Sequence, residues 1–116
     1  MSFRFEKLEI WQQARKFAVE VYKITSKYPN YEKFSLVNQL RRAVISIALN
    51  IAEGSDRGTD KDFALFLNRS HTSLCEVVSC LDLSLKDKYI AQEMHSEYLR
   101  GAESLANQIT AFRKKL

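Results

Sequence analysis

The sequence predicts an all-α protein, an antiparallel up-down-up-down four-helix bundle. Three observations lead there. Three glycines and one proline in 116 residues are too few for the many turns of an all-β fold. Long stretches of Leu, Ala, Glu, Lys, Gln and Arg favour helix. Apolar residues recur at three-four spacing in four segments separated by short polar breaks, and short connections make sequential helices antiparallel neighbours. At this length the chain is expected to form one domain over 1–116, with room for a single core.

The first helix is predicted over about 6–28, with Leu8, Trp11, Ala14, Ala18, Val21 and Thr25 on one stripe. Tyr28-Pro29-Asn30 stops it, because proline disfavours helix in the residue before it. The second runs over 35–54, with Ser35 as its N-cap and Gly54 as its end. A polar loop to Gly58 leads to the third, 59–88, where Thr59 caps and Asp60 and Asp62 suit the helix dipole. Its inner face carries Phe63, Phe66, Leu67, Leu74, Val77, Val78, Leu81 and Leu85. The fourth spans 92–115 behind Ala91, a poor cap, and repeats its spacing through Met94, Tyr98, Gly101, Leu105, Ile109, Phe112 and Leu116. The expected core is Trp11, Ala18, Leu40, Val44, Ile47, Ile51, Phe63, Phe66, Leu74, Val78, Leu81, Leu105, Ile109 and Phe112.

The second helix is the most informative segment. At about 100° per residue, Gln39, Arg42, Ser46, Asn50 and Glu53 fall in one narrow polar arc, and nearly everything around them is apolar. A helix touching a core on one side needs an apolar stripe of roughly 100° or more. This helix exceeds that, with Ile45, Leu49 and Ala52 on a flanking face that its own bundle leaves uncovered. An assembly is the expected remedy. The polar arc then reads as a structural network at an interface, since buried polar groups need partners and specify register. The sharper alternative, Glu53 as a general base beside Arg42, lacks a nucleophile, a metal or a glycine-rich phosphate loop.

Composition excludes several functions. The charged, amphipathic start is unlike a signal peptide. The longest apolar run, Ala43 to Ala52, is about ten residues and is broken by Ser46 and Asn50, whereas a membrane span needs about twenty. A cytoplasmic protein without membrane partners is expected. Cys75 and Cys80, five apart on one helix, cannot bridge each other and read as buried, reduced thiols. His71 and Cys75 share a helix face, but no third or fourth metal ligand stands at a useful spacing. The Glu-x-x-His pair of di-iron bundles is absent as well. Neither a cofactor, nor a metal, nor catalytic residues are expected.

The chain carries 18 Lys and Arg against 14 Asp and Glu, a net charge of +4. The surplus sits in helix 1 (Arg4, Lys7, Arg15, Lys16, Lys23, Lys27) and in the tail Arg113-Lys114-Lys115. A ring of subunits would multiply it into a field that polyanions sense. Trp11, Phe17 and Tyr22 beside Arg15 and Lys16 suit stacking on bases, although aromatics at helical spacing more often belong to a core.

Several phrases carry a family resemblance: Phe5-x-x-Leu8-x-Ile10-Trp11; Tyr28-Pro29-x-x-Glu32-x-Phe34-x-Leu36-x-x-Gln39-x-Arg41-Arg42-Ala43; Ser46-Ile47; Asn50-Ile51-Ala52-Glu53-Gly54 with Arg57; Phe63-x-x-Phe66-Leu67; and Ser73-Leu74-x-Glu76. Together they resemble the small bacterial four-helix-bundle proteins encoded by intervening sequences in 23S ribosomal RNA genes. Thr72 departs from the pattern, standing where that family often has glycine. The resemblance covers nearly the whole chain. It implies a homopentameric ring without enzymatic activity. It also implies kinship with accessory proteins of diversity-generating retroelements, whose basic pentamers engage a reverse transcriptase and nucleic acid. Three classes of function therefore compete: an accessory factor binding RNA or DNA, a protein-binding scaffold without nucleic-acid affinity, and an enzyme. Residue chemistry favours the first two, and resemblance alone lifts the first above the second.

Overall fold

The computed structural model describes residues 2–116 and builds them into four α-helices: α1 (Glu9–Thr25), α2 (Leu36–Ser55), α3 (Asp60–Lys86) and α4 (Gln92–Lys114). Short 3-10 turns, Arg4–Lys7 and Asn30–Glu32, precede α1 and α2, and no strand occurs among the described residues. Contacts along the helices establish their directions. The Arg41 side chain reaches Thr25 and the Tyr22 carbonyl, while Arg4 reaches the Ser55 carbonyl, so α1 and α2 are antiparallel. Ser70 donates to the Ile47 carbonyl at 2.8 Å, and Gly54 abuts Phe63, which reverses α3 against α2. Phe63 meets Phe112, and Tyr98 donates to the Glu20 carbonyl, so α4 closes the bundle between α3 and α1. The result is an up-down-up-down bundle measuring 43 × 24 × 21 Å.

Helix boundaries differ from expectation where side chains capture backbone groups. The first helix starts at Glu9 because the Glu6 carboxylate accepts the Phe3 amide at 2.6 Å and tightens residues 4–7 into a 3-10 turn. It stops at Thr25, ahead of Tyr28, as Lys27 and Tyr28 turn back onto the Ile24 and Thr25 carbonyls. Ser35 occupies the N-cap position of α2 without capping through its own hydroxyl. That hydroxyl donates to Glu32, whose carboxylate also receives the Leu36 amide at 3.4 Å. The Tyr89 hydroxyl donates to the same carboxylate at 2.7 Å and ties the α3–α4 loop to the α1–α2 loop. These donors, Ser35 foremost, hold the Glu32 pKa below its ordinary value. Thr59 caps α3 as expected, accepting from the Asp62 amide at 3.2 Å.

Gly54 does not end α2, which continues to Ser55. It is a close-approach residue: a Cβ there would sit 2.7 Å from the Phe66 Cβ and 2.8 Å from Phe63 Cδ1. Small residues continue that seam, with Ser70 fully buried and the Ser73 hydroxyl donating to the Ser46 hydroxyl at 2.8 Å. Thr72 stays out of it, exposed and bonded back to the Asn68 carbonyl.

The end of α3 is a Schellman motif. The Tyr89 amide reaches the Ser84 carbonyl and the Lys88 amide the Leu85 carbonyl, with Lys88 left-handed at φ 63°. A left-handed lysine costs about 1–2 kcal/mol, of which glycine's extra unfolded-state entropy would return roughly half. Lys88→Gly is therefore expected to stabilise the chain by about 0.5–1 kcal/mol, read as a rise of a few degrees in melting temperature. A lower melting temperature would refute the motif.

The core holds Leu40, Val44, Ile47, Ile51, Phe63, Phe66, Leu74, Leu81, Leu105 and Ile109 as expected. Trp11, Ala18, Val78 and Phe112 are instead half-buried at its margin. On α1 the cause is a rotation of the buried stripe, which centres on Ile10, Ala14, Val21 and Ile24 and swings Trp11 and Ala18 toward α2. The thiols also differ from expectation, since Cys75 is exposed and Cys80 only half-buried.

Candidate functional site

An uncovered apolar surface lies between the outer faces of α1 and α2. Trp11, Ala18, Val19 and Tyr22 line it from α1, and Ile45, Ala48 and Leu49 from α2, around a groove of about 400 Å³. Leu49 is 54% exposed and Val19 50%, and with Tyr22 and Ile45 they line one groove rather than standing singly. Arginines flank the strip: Arg15 stacks 4.9 Å from the Trp11 ring centroid and Arg41 4.4 Å from that of Tyr22. Ala52, expected on the same face, is half-buried beside Phe3 and Phe5.

The polar arc of α2 divides into two parts. Ser46 and Asn50 are half-buried and satisfied, with Asn50 Nδ2 donating to the Ser46 carbonyl at 2.8 Å and to its hydroxyl at 3.0 Å. Gln39, Arg42 and Glu53 are exposed, and their side chains make no hydrogen bond or ion pair among the described residues of the single chain. Arg42 precedes Ile45 by three residues and Glu53 follows Leu49 by four, so both border the apolar strip along one helix face. Within one chain the arc is not a closed network.

The basic residues singled out from the sequence do not form one stripe. Arg15 borders the α1–α2 groove, whereas Lys16 lies on the opposite flank of α1 beside Phe17, Glu20 and Gly101. Lys23 pairs with Glu20 at 3.5 Å, the one ion pair among the described residues. Lys7 and Lys27 are exposed near opposite ends of α1. Arg4 and Arg113 both reach the N-terminal half of α3: Arg4 stacks on the Phe63 ring and Arg113 bonds Asn68, with Lys114 and Lys115 exposed just beyond. Two further arginines sit there that charge counting over α1 and the tail passed by. Arg57 and Arg69 both stack on Phe66, at 5.1 and 4.6 Å from its centroid. The visible signal was Phe66 three residues before Arg69, a spacing that places both on one helix face.

No group of three or more His, Cys, Asp or Glu able to hold a metal occurs among the described residues. His71 and Cys75 are both exposed on α3. Burial pushes the Cys80 thiol up and the Tyr98 hydroxyl to about 12. Neither shift prepares an acid or base for work near pH 7.

No helix among the described residues is long and apolar enough to cross a membrane. No curated protein matches the chain. A solved structure with the same fold is that of a protein of unknown function from the S23 ribosomal protein family of Bacteroides thetaiotaomicron VPI-5482. It superposes with a TM-score of 0.83 at 23% identity, covering 90% of this chain and 95% of that one. The family model for the 23S rRNA-intervening sequence protein matches residues 6–111, from the 3-10 turn before α1 nearly to the end of α4. With that match spanning all four helices, the chain belongs to the 23S rRNA intervening-sequence protein family.

Proposed function

We propose that this protein is a non-enzymatic homo-oligomer, a pentamer, that serves as an accessory factor for nucleic acid or a ribonucleoprotein in the bacterial cytoplasm. The observation that carries the reading is the uncovered apolar strip of Val19, Tyr22, Ile45 and Leu49. An open strip on two adjacent helices is a surface that soluble monomers seldom leave bare. A second copy of the chain suits it, because the strip follows the helix axes and so matches the length of a neighbouring helix. The pentameric number rests on the family resemblance. Five copies at +4 would gather about +20 in one particle, a field sufficient to steer polyanions.

Sedimentation equilibrium at micromolar concentration tests assembly: several chains per particle are expected, and a monomer would overturn the reading. A dimer or trimer would overturn the pentamer alone. Arg42 adds a second measurement. Being exposed in one chain and next to the strip, it is expected to find its partner across the interface. Arg42→Ala should leave the helical content of the subunit unchanged and weaken assembly by about 1–3 kcal/mol, the cost of an unpaired buried group. Wild-type assembly by that variant would mark the polar arc as simply solvated. The groove also favours a second reading, a protein-binding scaffold without nucleic-acid affinity, which is the expected outcome if the assembled protein fails to bind RNA or DNA at about 50 mM salt.

A further inference from the structure

We infer that the row of aromatic-stacked arginines along the first turns of α3, and not the basic face of α1, is the surface that takes the phosphates of a single-stranded nucleic acid. The inference rests on the accessory-factor reading above and names its binding site.

Phe63 and Phe66 are buried, 1% and 7% exposed, beneath the arginines that cover them. Arg4 covers the first at 5.2 Å from the centroid; Arg57 and Arg69 cover the second. The two rings are three residues apart on α3, about 4.5 Å of rise along its axis. Three arginines held over two neighbouring rings suit a polyanion better than a single small anion. Stacking holds each guanidinium plane while leaving N–H donors at its edge, the pre-organisation that makes arginine suited to phosphate.

The side chains of Arg57 and Arg69 make no hydrogen bond or ion pair among the described residues, and only their backbones are engaged. Asp60 and Asp62 lie in the first turn of the same helix, but neither comes within ion-pair distance of them. On α1, by contrast, Lys23 is already paired with Glu20, and Arg15 and Lys16 lie on different flanks of the helix. A strand bound across the end of the bundle would run from Arg4 past Arg57 and Arg69 to Arg113.

The test is fluorescence anisotropy of a labelled single-stranded RNA against the intact protein, from about 50 mM salt upward. Wild type is compared with Arg57→Gln/Arg69→Gln and with Arg15→Gln/Lys16→Gln/Lys23→Gln, each checked for helical content and oligomer size. The Arg57/Arg69 variant is expected to lose about tenfold or more in affinity. Its slope of log affinity against log salt should shrink by about 0.7 for each contact removed. The α1 variant should lose less. Arg57→Lys/Arg69→Lys, which keeps the charge and removes the planar stack, should fall between wild type and the Gln pair. Should the Gln pair fail to fold, Arg57→Gln alone, in the loop outside the helices, carries the test. Wild-type affinity and slope in a folded Arg57 variant would overturn the inference and leave the accessory-factor reading standing. Absence of RNA binding by wild type would overturn both.

Discussion

Replacing Gly54 with alanine is expected to destabilise the subunit by about 2 kcal/mol. Two effects oppose each other. Inside a helix, alanine is favoured over glycine by about 1 kcal/mol. Against this, the added Cβ would stand 2.7 Å from the Phe66 Cβ, an atom fixed to the α3 backbone, and 2.8 Å from the Phe63 ring. Neither neighbour is the free end of a flexible side chain, so α2 and α3 would have to separate. Overpacking of this kind costs about 1–3 kcal/mol, here toward the upper limit because the seam runs on through Ser70 and Ser73. The loss should appear as a fall of about 8 °C or more in melting temperature. Gly58→Ala is the control: nothing lies within 4 Å of its built Cβ, and the effect should stay within about 0.5 kcal/mol. Equal melting temperatures for the two variants would refute the close approach at Gly54.

The second large effect is on assembly. Leu49→Arg should leave the fold of a single chain intact, since Leu49 is 54% exposed there and supports no core contact that burial requires. If a second copy covers the strip, the arginine becomes a charge brought into an apolar contact without a partner, at a cost of several kcal/mol. Each 1.4 kcal/mol is a tenfold loss of affinity, and in a closed ring the substitution recurs at every interface. The variant is expected to sediment as one chain at concentrations where wild type is assembled, with its helical circular dichroism retained. Assembly equal to wild type would remove the α1–α2 strip as the interface. Loss of helicity would show that Leu49 supports the subunit itself.

Much of the bundle was legible from spacing alone. The three-four periodicity of α2, α3 and α4 located most of the buried side chains, from Leu40 and Ile47 to Leu105 and Ile109, because an isolated stripe of apolar residues has one way to face a core. Helix 1 was less legible. Its stripe is broad, and periodicity does not say whether Trp11 or Ile10 sits at the centre. In the folded bundle Ile10 belongs to the core at 4% exposure and Trp11 lines the groove. Glycine signals were equally ambiguous: Gly54 reads as a stop in sequence, but the approach of Phe63 and Phe66 requires it for space.

The candidate surfaces divide along the same line. By itself the sequence determined the all-α fold class, the positions of four helices to within a few residues, the family, and an α2 that carries Ile45 and Leu49 on its outer flank. Those properties follow from residue types read along one helix, where i, i+3 and i+4 neighbours are set by geometry. Only the tertiary structure decided which side chains meet across helices. It separated Arg15 from Lys16, left Arg42 and Glu53 at the rim of the strip, and gathered Arg4, Arg57, Arg69 and Arg113 at one end of the bundle. The reason is physical: charge counts are properties of the chain, whereas a binding surface is assembled from segments as far apart as residues 4 and 113, and only folding brings those together.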